Sequence, residues 1–148
     1  MSTLAIIPCG KQKIWSKYPN KGPTNAEKVY ISAYFKVNKS YAERFSDKWL
    51  ILSAKYGLLS PDFTIKSDYN VTFNDKSTGP ISILELSEHA KSYHEYNLIV
   101  ALGGKKYTNI IDKIFSQGGT KIVKPVEGLN LFESMAKLKK AVRSGIPL

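Results

Sequence analysis

Four short apolar segments of this chain each run into a small, polar or glycine-bearing turn, and this arrangement constrains the fold more than any other feature. The turns are Cys9-Gly10-Lys11, Ser53-Ala54-Lys55-Tyr56-Gly57, Gly103-Gly104-Lys105-Lys106 and Pro125-Val126-Glu127-Gly128. The segments before them, residues 4–8, 49–53, 98–102 and 121–124, have the length and composition of buried strands. Because the carboxyl ends of parallel strands meet at one edge of a sheet, we expect one lysine-rich cleft there.

Helical patterns separate these strands. Thr24 and Glu27 have the spacing of a capping box, and apolar residues then recur at helical intervals, which predicts a helix over residues 24–45. Pro80 suits the first turn of a second helix, over residues 80–96.

Two further helices complete the pattern. One is predicted over residues 107–117 and would end at Gly118-Gly119, and another begins at Asn130, which is placed to cap it. Strands that alternate with helices imply crossover connections. The sequence therefore predicts one α/β domain over residues 1–148, a three-layer α/β/α sandwich around a central, mainly parallel sheet.

The charge of the chain is strongly positive. Lys and Arg together number 22 against 12 Asp and Glu, a formal net charge of +10. A basic domain of this size fits a polyanionic partner, because neutralising phosphates releases condensed counterions. The sequence thus predicts a nucleic-acid partner, DNA in preference to RNA. The alternative is a protein whose lysine-rich faces only contact solvent.

Several classes of protein are disfavoured. One cysteine excludes an internal disulfide, and with two histidines it cannot build a standard structural zinc site, so we expect no metal. Gly103-Gly104 fits neither the dinucleotide-binding nor the phosphate-loop pattern, so no cofactor is expected. The start lacks a signal-peptide pattern and no stretch has the length of a membrane span, which predicts a cytoplasmic protein without membrane contact.

The longest stretch without a periodic pattern, residues 60–79, contains Asp68-Tyr69-Asn70. Long loops in compact domains are usually functional or disordered. In base-excising enzymes an aromatic ring stacks on an extruded base while an acid or amide positions water or steadies a cationic sugar. Asp68, Asn70 and Glu127, the acid in the fourth turn, are therefore the candidate catalytic residues. The alternative is turn chemistry, since Asp and Asn favour loops.

The candidate ligand-binding residues lie at the four turns and in the long loop. Lysines there would hold phosphates, and glycines would bring backbone N–H groups to an anion. A Cys9 nucleophile beside a cation is a further hypothesis, against which stands an inert buried thiol. His89 and His94 are expected to be solvated. The ligand-binding set is Cys9, Gly10, Lys11, Lys13, Ser53, Lys55, Tyr56, Tyr69, Gly103, Gly104 and Lys105.

Four motifs together resemble a known family. They are C-G-K-x-K near the start, S-A-K-Y-G-L-L-x-P after the second strand, D-Y-N-V-T-F in the loop and G-G-x-x-Y after the third strand. This set resembles the YaaA-like family of bacterial and phage proteins, which is similar to an accessory domain of archaeal tRNA-guanine transglycosylases and distantly to the uracil-DNA-glycosylase fold. The resemblance implies a nucleic-acid or nucleobase role, and its motifs also include Gly57, Asp62 and Tyr107.

The function expected from these observations is recognition of a nucleobase by a nucleic-acid-binding protein, with N-glycosidic bond cleavage by a DNA glycosylase as its catalytic form. Two alternatives stand beside it. One is a DNA- or RNA-binding protein of stress response or phage defence that catalyses nothing. The other is a binder of a small nucleotide, which would use the same cleft for its phosphates.

Overall fold

A computed structural model describes residues 2–116 and 119–148. Within this part of the chain there are seven strands and five α-helices. The strands are Thr3–Pro8 (β1), Thr24–Asn25 (β2), Lys48–Ser53 (β3), Gly57–Leu59 (β4), Thr64–Ile65 (β5), Leu98–Ala101 (β6) and Lys121–Val123 (β7). The α-helices are Ala26–Val29 (α1), Ala33–Phe45 (α2), Ile83–Ala90 (α3), Lys105–Ile114 (α4) and Leu131–Ser144 (α5).

Five of the strands form the central sheet, in the order β4-β3-β1-β6-β7. β1 pairs in parallel with both β3 and β6, and β6 pairs in parallel with β7, whereas β4 is antiparallel to β3 at one edge. The predicted mainly parallel sheet is therefore confirmed. The apolar run of β1 occupies its centre, where both faces are covered and alternation of polar and apolar residues is not needed.

Helices cover both faces of the sheet, which confirms the three-layer sandwich. Ala5 and Ile7 of β1 face a core cluster that includes residues of α2 and α5. Leu4 and Ile6 point the other way, into a cluster that includes residues of α3 and α4. Leu4, Ile6 and Ile7 are fully buried, and burial of such a side chain contributes about 1.5–3 kcal/mol.

The predicted helix over residues 24–45 is broken in two. The Thr24 hydroxyl donates to the carbonyl of Gly22 rather than capping a helix, and the N–H of Glu27 donates to the carbonyl of Pro61. A new helix, α2, starts after Ser32, whose hydroxyl accepts from the N–H of Phe35 at 3.1 Å. Contacts with distant parts of the chain thus override the local capping pattern, and the predicted capping box is wrong.

Other boundaries differ less. The predicted helix over residues 80–96 shortens to α3, which Ser82 caps, followed by one 3₁₀ turn at Lys91–Tyr93. The helix predicted over 107–117 begins earlier, at Lys105, and ends earlier, at Ile114, so the predicted end is wrong; Gln117 and Gly118 themselves lie outside the described residues. The last helix is as predicted: Asn130 and Glu133 form a reciprocal capping box at the start of α5. Among the helices described here, none has the length and apolar character that a bilayer span requires.

A hairpin not foreseen in the sequence joins β3 to β4, and its geometry depends on Gly57. This residue has a φ of +80°, and a Cβ built on it would lie 2.4 Å from Nδ1 of His89. His89 is therefore half-buried against the hairpin rather than solvated as predicted, whereas His94 is exposed.

Gly57→Ala should destabilise the fold more than Gly79→Ala. Both glycines have a left-handed φ, +80° and +73°, so both variants share a conformational cost of about 1–2 kcal/mol. A Cβ at Gly79 would meet nothing within 4 Å, whereas at Gly57 it would overlap His89, which adds roughly 1–3 kcal/mol. Urea denaturation measures the difference. The double change Gly57→Ala with His89→Ala should recover the part of the added cost that is due to His89, whereas the 2.9 Å approach to Cδ1 of Ile81 remains. Equal losses in the two single variants would contradict this account.

Candidate functional site

A cavity of about 250 Å³ opens where the sequence predicts the cleft, beyond the carboxyl ends of the central strands. The turn after β1, the turn after β3, the long loop of residues 60–82 and the first turn of α4 supply its walls. We call it the edge cavity. Its lining residues are Cys9, Gly10, Lys11, Lys13, Ala54, Tyr69, Asn70, Val71, Thr72, Phe73, Asn74 and Tyr107.

Tyr69 fastens the long loop to the sheet. Its hydroxyl hydrogen-bonds to the hydroxyl of Tyr30 and lies 3.3 Å from Oγ of Ser53. Ser53 is fully buried at the end of β3, where its Oγ also accepts from the N–H groups of Lys55 at 3.3 Å and Tyr56 at 3.2 Å. One buried hydroxyl therefore shapes the turn after β3 and holds the wall of the cavity.

Burial keeps the phenols of this cluster protonated. It raises the pKa of Tyr69 to about 12, although hydrogen bonds from Ser53 and Tyr30 act in the opposite direction. Burial likewise raises the pKa of Tyr30, which is only 1% exposed, and the pKa of Tyr107. The rings at the edge cavity therefore present neutral hydroxyl groups at physiological pH.

Lys13 is a buried lysine whose side chain lines the cavity and is only 8% exposed. Its Nζ donates to the carbonyl of Lys11 at 3.3 Å and lies 4.4 Å from the ring centroid of Tyr69. Desolvation lowers the pKa of the Lys13 amine, and the negative charge of Asp68 opposes that shift. Lys13 therefore differs from the exposed Lys11 nearby in both its burial and the environment of its amine.

Cys9 lies at the base of the cavity, with Sγ 4.0 Å from the hydroxyl of Tyr107. Burial raises the pKa of its thiol, and the opposing effects of hydrogen bonding and of the Lys13 charge are smaller. The thiolate is the reactive form of cysteine, so this environment disfavours a nucleophilic role. A structural thiol is the interpretation that these contacts support.

The outer wall of the cavity is the segment Asn70–Asn74. The ring of Phe73 lies edge-on to that of Tyr107, with centroids 6.1 Å apart. Oδ1 of Asn74 accepts a hydrogen bond from Nζ of Lys106 on α4, which joins the loop to that helix. Two aromatic-amide pairs, Tyr69-Asn70 and Phe73-Asn74, therefore stand four residues apart along the same wall.

Three predicted ligand-binding residues contact Tyr69 but do not line the edge cavity. Ser53 is buried and engaged by Tyr69, as described above. The ring of Tyr56 packs edge-on against that of Tyr69, with centroids 5.5 Å apart. Lys55 is exposed, and its Nζ lies 5.4 Å from the centroid of the Tyr69 ring. These residues support the site without lining it, although the Lys55 ammonium remains accessible to an anion.

The turn after β6 also contributes less to the edge cavity than the sequence predicts. Gly103 has a φ of +101°, and a Cβ there would lie 3.0 Å from Cγ of Pro8. The backbone conformation and the close packing against Pro8 therefore explain why this residue is a glycine. Gly104 is the N-cap of α4, and Lys105 is the exposed first residue of that helix. None of the three lines the edge cavity, whereas Gly10 and Lys11 do.

The candidate catalytic residues are not brought together. Asn70 lines the cavity, whereas Asp68 is exposed at its rim and accepts from the N–H of Tyr69 at 2.8 Å. Glu127 lies elsewhere: its carboxylate accepts a hydrogen bond from Thr108 on α4 and is 4.0 Å from Nζ of Lys124. Among the residues that the structure describes, no Asp or Glu lines the edge cavity.

Sequence reasoning overlooked Tyr30, Thr72, Phe73 and Asn74. The pair Phe73-Asn74 repeats the pattern of Tyr69-Asn70 within the same loop, and that repetition was an available signal. Tyr30 gave no signal, because it was assigned to the interior of a helix that the structure interrupts at that point.

Comparison with known proteins identifies the family. A family model described as a family of unknown function (DUF6884) matches residues 4–140. The chain is also 40% identical over 122 residues to an uncharacterized protein, YfjM, of Bacillus subtilis (strain 168), an alignment that covers 79% of each chain. No solved structure matches. The chain belongs to the DUF6884 family.

Tyr69→Phe should reduce the loss of stability in alkali. Because burial raises the pKa of Tyr69 from 10.0 to about 12, the folded protein keeps a proton that the unfolded chain releases between those values. The contribution of this hydroxyl is complete below about pH 10 and disappears as the pH rises through about 12.

The measurement is the free energy of unfolding in urea at several pH values across that interval. Tyr69→Phe should show a shallower decline with pH than the unmodified protein, whatever its stability at neutral pH. The control is Tyr18→Phe, which removes the hydroxyl of a ring that is 58% exposed. An identical pH slope in the two variants would refute the assignment.

Proposed function

We propose that this member of the DUF6884 family binds a single nucleobase in the edge cavity, presented by a nucleic-acid strand whose phosphates contact the surrounding lysines. DNA is the partner that we propose first. The observation that carries the proposal is the composition of the cavity: three aromatic rings and two amides surround a space beside exposed and buried lysines, without a carboxylate among the described lining residues.

The size and rings of the cavity suit one heterocycle. Its volume of about 250 Å³ is below the roughly 300–1,000 Å³ typical of sites for drug-sized ligands, which favours a small planar group. Tyr69, Phe73 and Tyr107 contribute aromatic surface. Stacking of a base on such a ring contributes about 1–3 kcal/mol, with little dependence on sequence.

The amides provide the means of recognition. Asn70 and Asn74 line the same wall, and each amide offers both donors and an acceptor to the edge of a base. Thr72, between them, adds a hydroxyl. Because Asn74 is already bonded to Lys106, the amide of Asn70 is the better candidate for direct contact with the base.

The positive charge near the cavity suits phosphates. Lys11 lines the cavity and is exposed, and Lys55 is exposed beside the Tyr69 ring. With a net charge of +10, the protein should attract a strand before the base enters. The resemblance to the YaaA-like proteins, and through them to domains that act on nucleobases, remains a prediction and points in the same direction.

Tyr107→Ala should weaken binding of a fluorescein-labelled, mixed-sequence single-stranded DNA, whereas Tyr18→Ala should not. Loss of one stacking ring costs about 1–3 kcal/mol, a reduction in affinity of about 5- to 150-fold. Fluorescence anisotropy measures the affinity, and Tyr107→Phe, which keeps the ring, should retain it. Equal affinities of the Tyr107→Ala and Tyr18→Ala variants would contradict the placement of the base in the edge cavity.

A salt titration of the unmodified protein completes this test. Phosphate contacts on single strands give a log–log slope of about −0.7 per neutralised phosphate, so the affinity should fall steeply with ionic strength. A flat salt response would exclude the nucleic-acid strand. Competition by free mononucleotides with such a flat response would instead support the small-nucleotide alternative.

Cleavage of the N-glycosidic bond is a second candidate, favoured by the influence of the Asp68 charge on Lys13 and by the position of Asn70 in the wall. On an oligonucleotide from which the protein releases a modified base, Asp68→Ala or Asn70→Ala should lower the rate by about 10²- to 10⁴-fold. Formation of abasic sites gives the rate. Glu127→Gln is the matched control, because that carboxylate is engaged by Thr108 and Lys124. If Glu127→Gln alone abolished turnover, Asp68 and Asn70 would lose their assigned role.

A further inference from the structure

Lys13 combines two properties that are rarely found together in a lysine. It is only 8% exposed, and what remains of its surface lines the edge cavity. Lysines are almost never buried to this degree unless a carboxylate pairs with them. In the part of the chain that the structure describes, no carboxylate lies within ion-pair distance of the Lys13 ammonium.

The protein contacts of Lys13 use only part of the hydrogen-bonding capacity of an ammonium ion, because the side chain lines the cavity. An ammonium has three donors, whereas one hydrogen bond is present, to the carbonyl of Lys11 at a long 3.3 Å. The face of the Tyr69 ring, 4.4 Å from Nζ, provides the other favourable contact. Desolvation lowers the pKa of this amine more than the Asp68 charge raises it. A neutral lysine amine is a nucleophile toward carbonyl carbon.

We propose that Lys13 is an amine nucleophile that forms an imine with the aldehyde carbon C1′ of an abasic sugar in a nucleic-acid strand. This inference rests on the proposed function, because it needs a strand whose nucleotide enters the edge cavity. The sugar of a nucleotide whose base has been lost is smaller than an intact nucleoside, and its ring-opened form carries an aldehyde at C1′.

The reaction balances without any other reactant. The lone pair of Nζ forms a bond to C1′ while the π pair of the carbonyl moves to oxygen, which gives a carbinolamine. Both hydrogens of the amine then leave with that oxygen as water, and the C1′–N double bond remains. The neighbouring phenols are neutral, and the hydroxyl of Tyr69 is already engaged by Tyr30 and Ser53. The nucleophile is therefore Lys13 rather than a tyrosine.

Reductive trapping tests the proposal. The protein is incubated with an oligonucleotide that contains one abasic site, in the presence of sodium borohydride, which reduces an imine to a stable secondary amine. A covalent complex should appear on a denaturing gel, and peptide mapping by mass spectrometry should place the modification on Lys13. The complex should be lost in Lys13→Met, which keeps the aliphatic stem, and in Lys13→Arg, which keeps the charge.

Lys17→Met is the matched control, because Lys17 is exposed and does not line the edge cavity, so this variant should form the complex normally. A melting curve of each variant separates loss of reactivity from loss of folding. A modification spread over the exposed lysines, or an undiminished yield from folded Lys13→Met, would overturn the assignment.

Two further outcomes separate this proposal from the proposed function. Binding of intact single-stranded DNA without any trapped complex would refute the role of Lys13 and leave the base-binding function standing. A second arm uses glycolaldehyde, a small aldehyde without phosphate. Selective modification of Lys13 by glycolaldehyde, together with no binding of any oligonucleotide, would refute both the nucleic-acid function and the abasic-sugar substrate, and would leave only a reactive amine at Lys13.

Discussion

The hydroxyl of Tyr69 connects the long loop both to the end of the central strand β3 and to Tyr30, in the segment whose strand β2 pairs with β5. Its partners are Tyr30, 39 residues earlier, and Ser53 at the end of a central strand. This contact brings the segment Asn70–Asn74 over the carboxyl edge of the sheet and gives Lys13 the ring on which its amine rests. The wall of the edge cavity and the position of its buried amine therefore both depend on the placement of Tyr69.

A cluster of buried polar groups is an expensive way to hold a loop. Each hydroxyl and amine must lose its water, and an unsatisfied group in the interior costs about 1–3 kcal/mol. Apolar side chains could fasten the same loop without that penalty. The hydroxyls of Tyr30, Tyr69 and Ser53 bond to one another, whereas the Lys13 amine makes one hydrogen bond to the protein, at 3.3 Å, and its side chain lines the edge cavity. That position at the cavity distinguishes Lys13 from the Tyr30 and Ser53 hydroxyls and favours a role beyond structure.

The features that could be predicted from the sequence are those that the local residue pattern determines. The apolar run of β1 implied a central parallel strand, and Asn130 with its following residues implied the start of α5; both are found. Thr24 with Glu27 has an equally good local pattern, yet the segment instead pairs with the long loop through Pro61 and Phe63. Local sequence carries no information about which distant carbonyl will compete for an N–H group, so this interruption could not be predicted.

The same limit applies to the site. The cavity edge follows from topology, so Cys9, Gly10 and Lys11 could be placed correctly from their position after β1. Glu127 occupies an equivalent turn after β7, but an interaction with Thr108 and Lys124 directs its carboxylate to α4. The long loop could be predicted as part of the site from its length and its polar and aromatic residues. Which of its residues anchors the loop, Tyr69, and which form the cavity wall depends on contacts made in three dimensions.

The arrangement of charges narrows the chemistry that the edge cavity can support. A carboxylate that steadies a cationic sugar must lie close to it, and such a group in a dry site would be strongly stabilised by a neighbouring ammonium. Asp68 stays exposed instead, whereas the amine of Lys13 is the buried cationic group beside the neutral thiol and phenols that line the cavity. Desolvation lowers the pKa of that amine and so favours its neutral form relative to an exposed lysine. The cavity is therefore better suited to bind a neutral heterocycle, or to attack an electrophilic carbon through nitrogen, than to stabilise a positive charge.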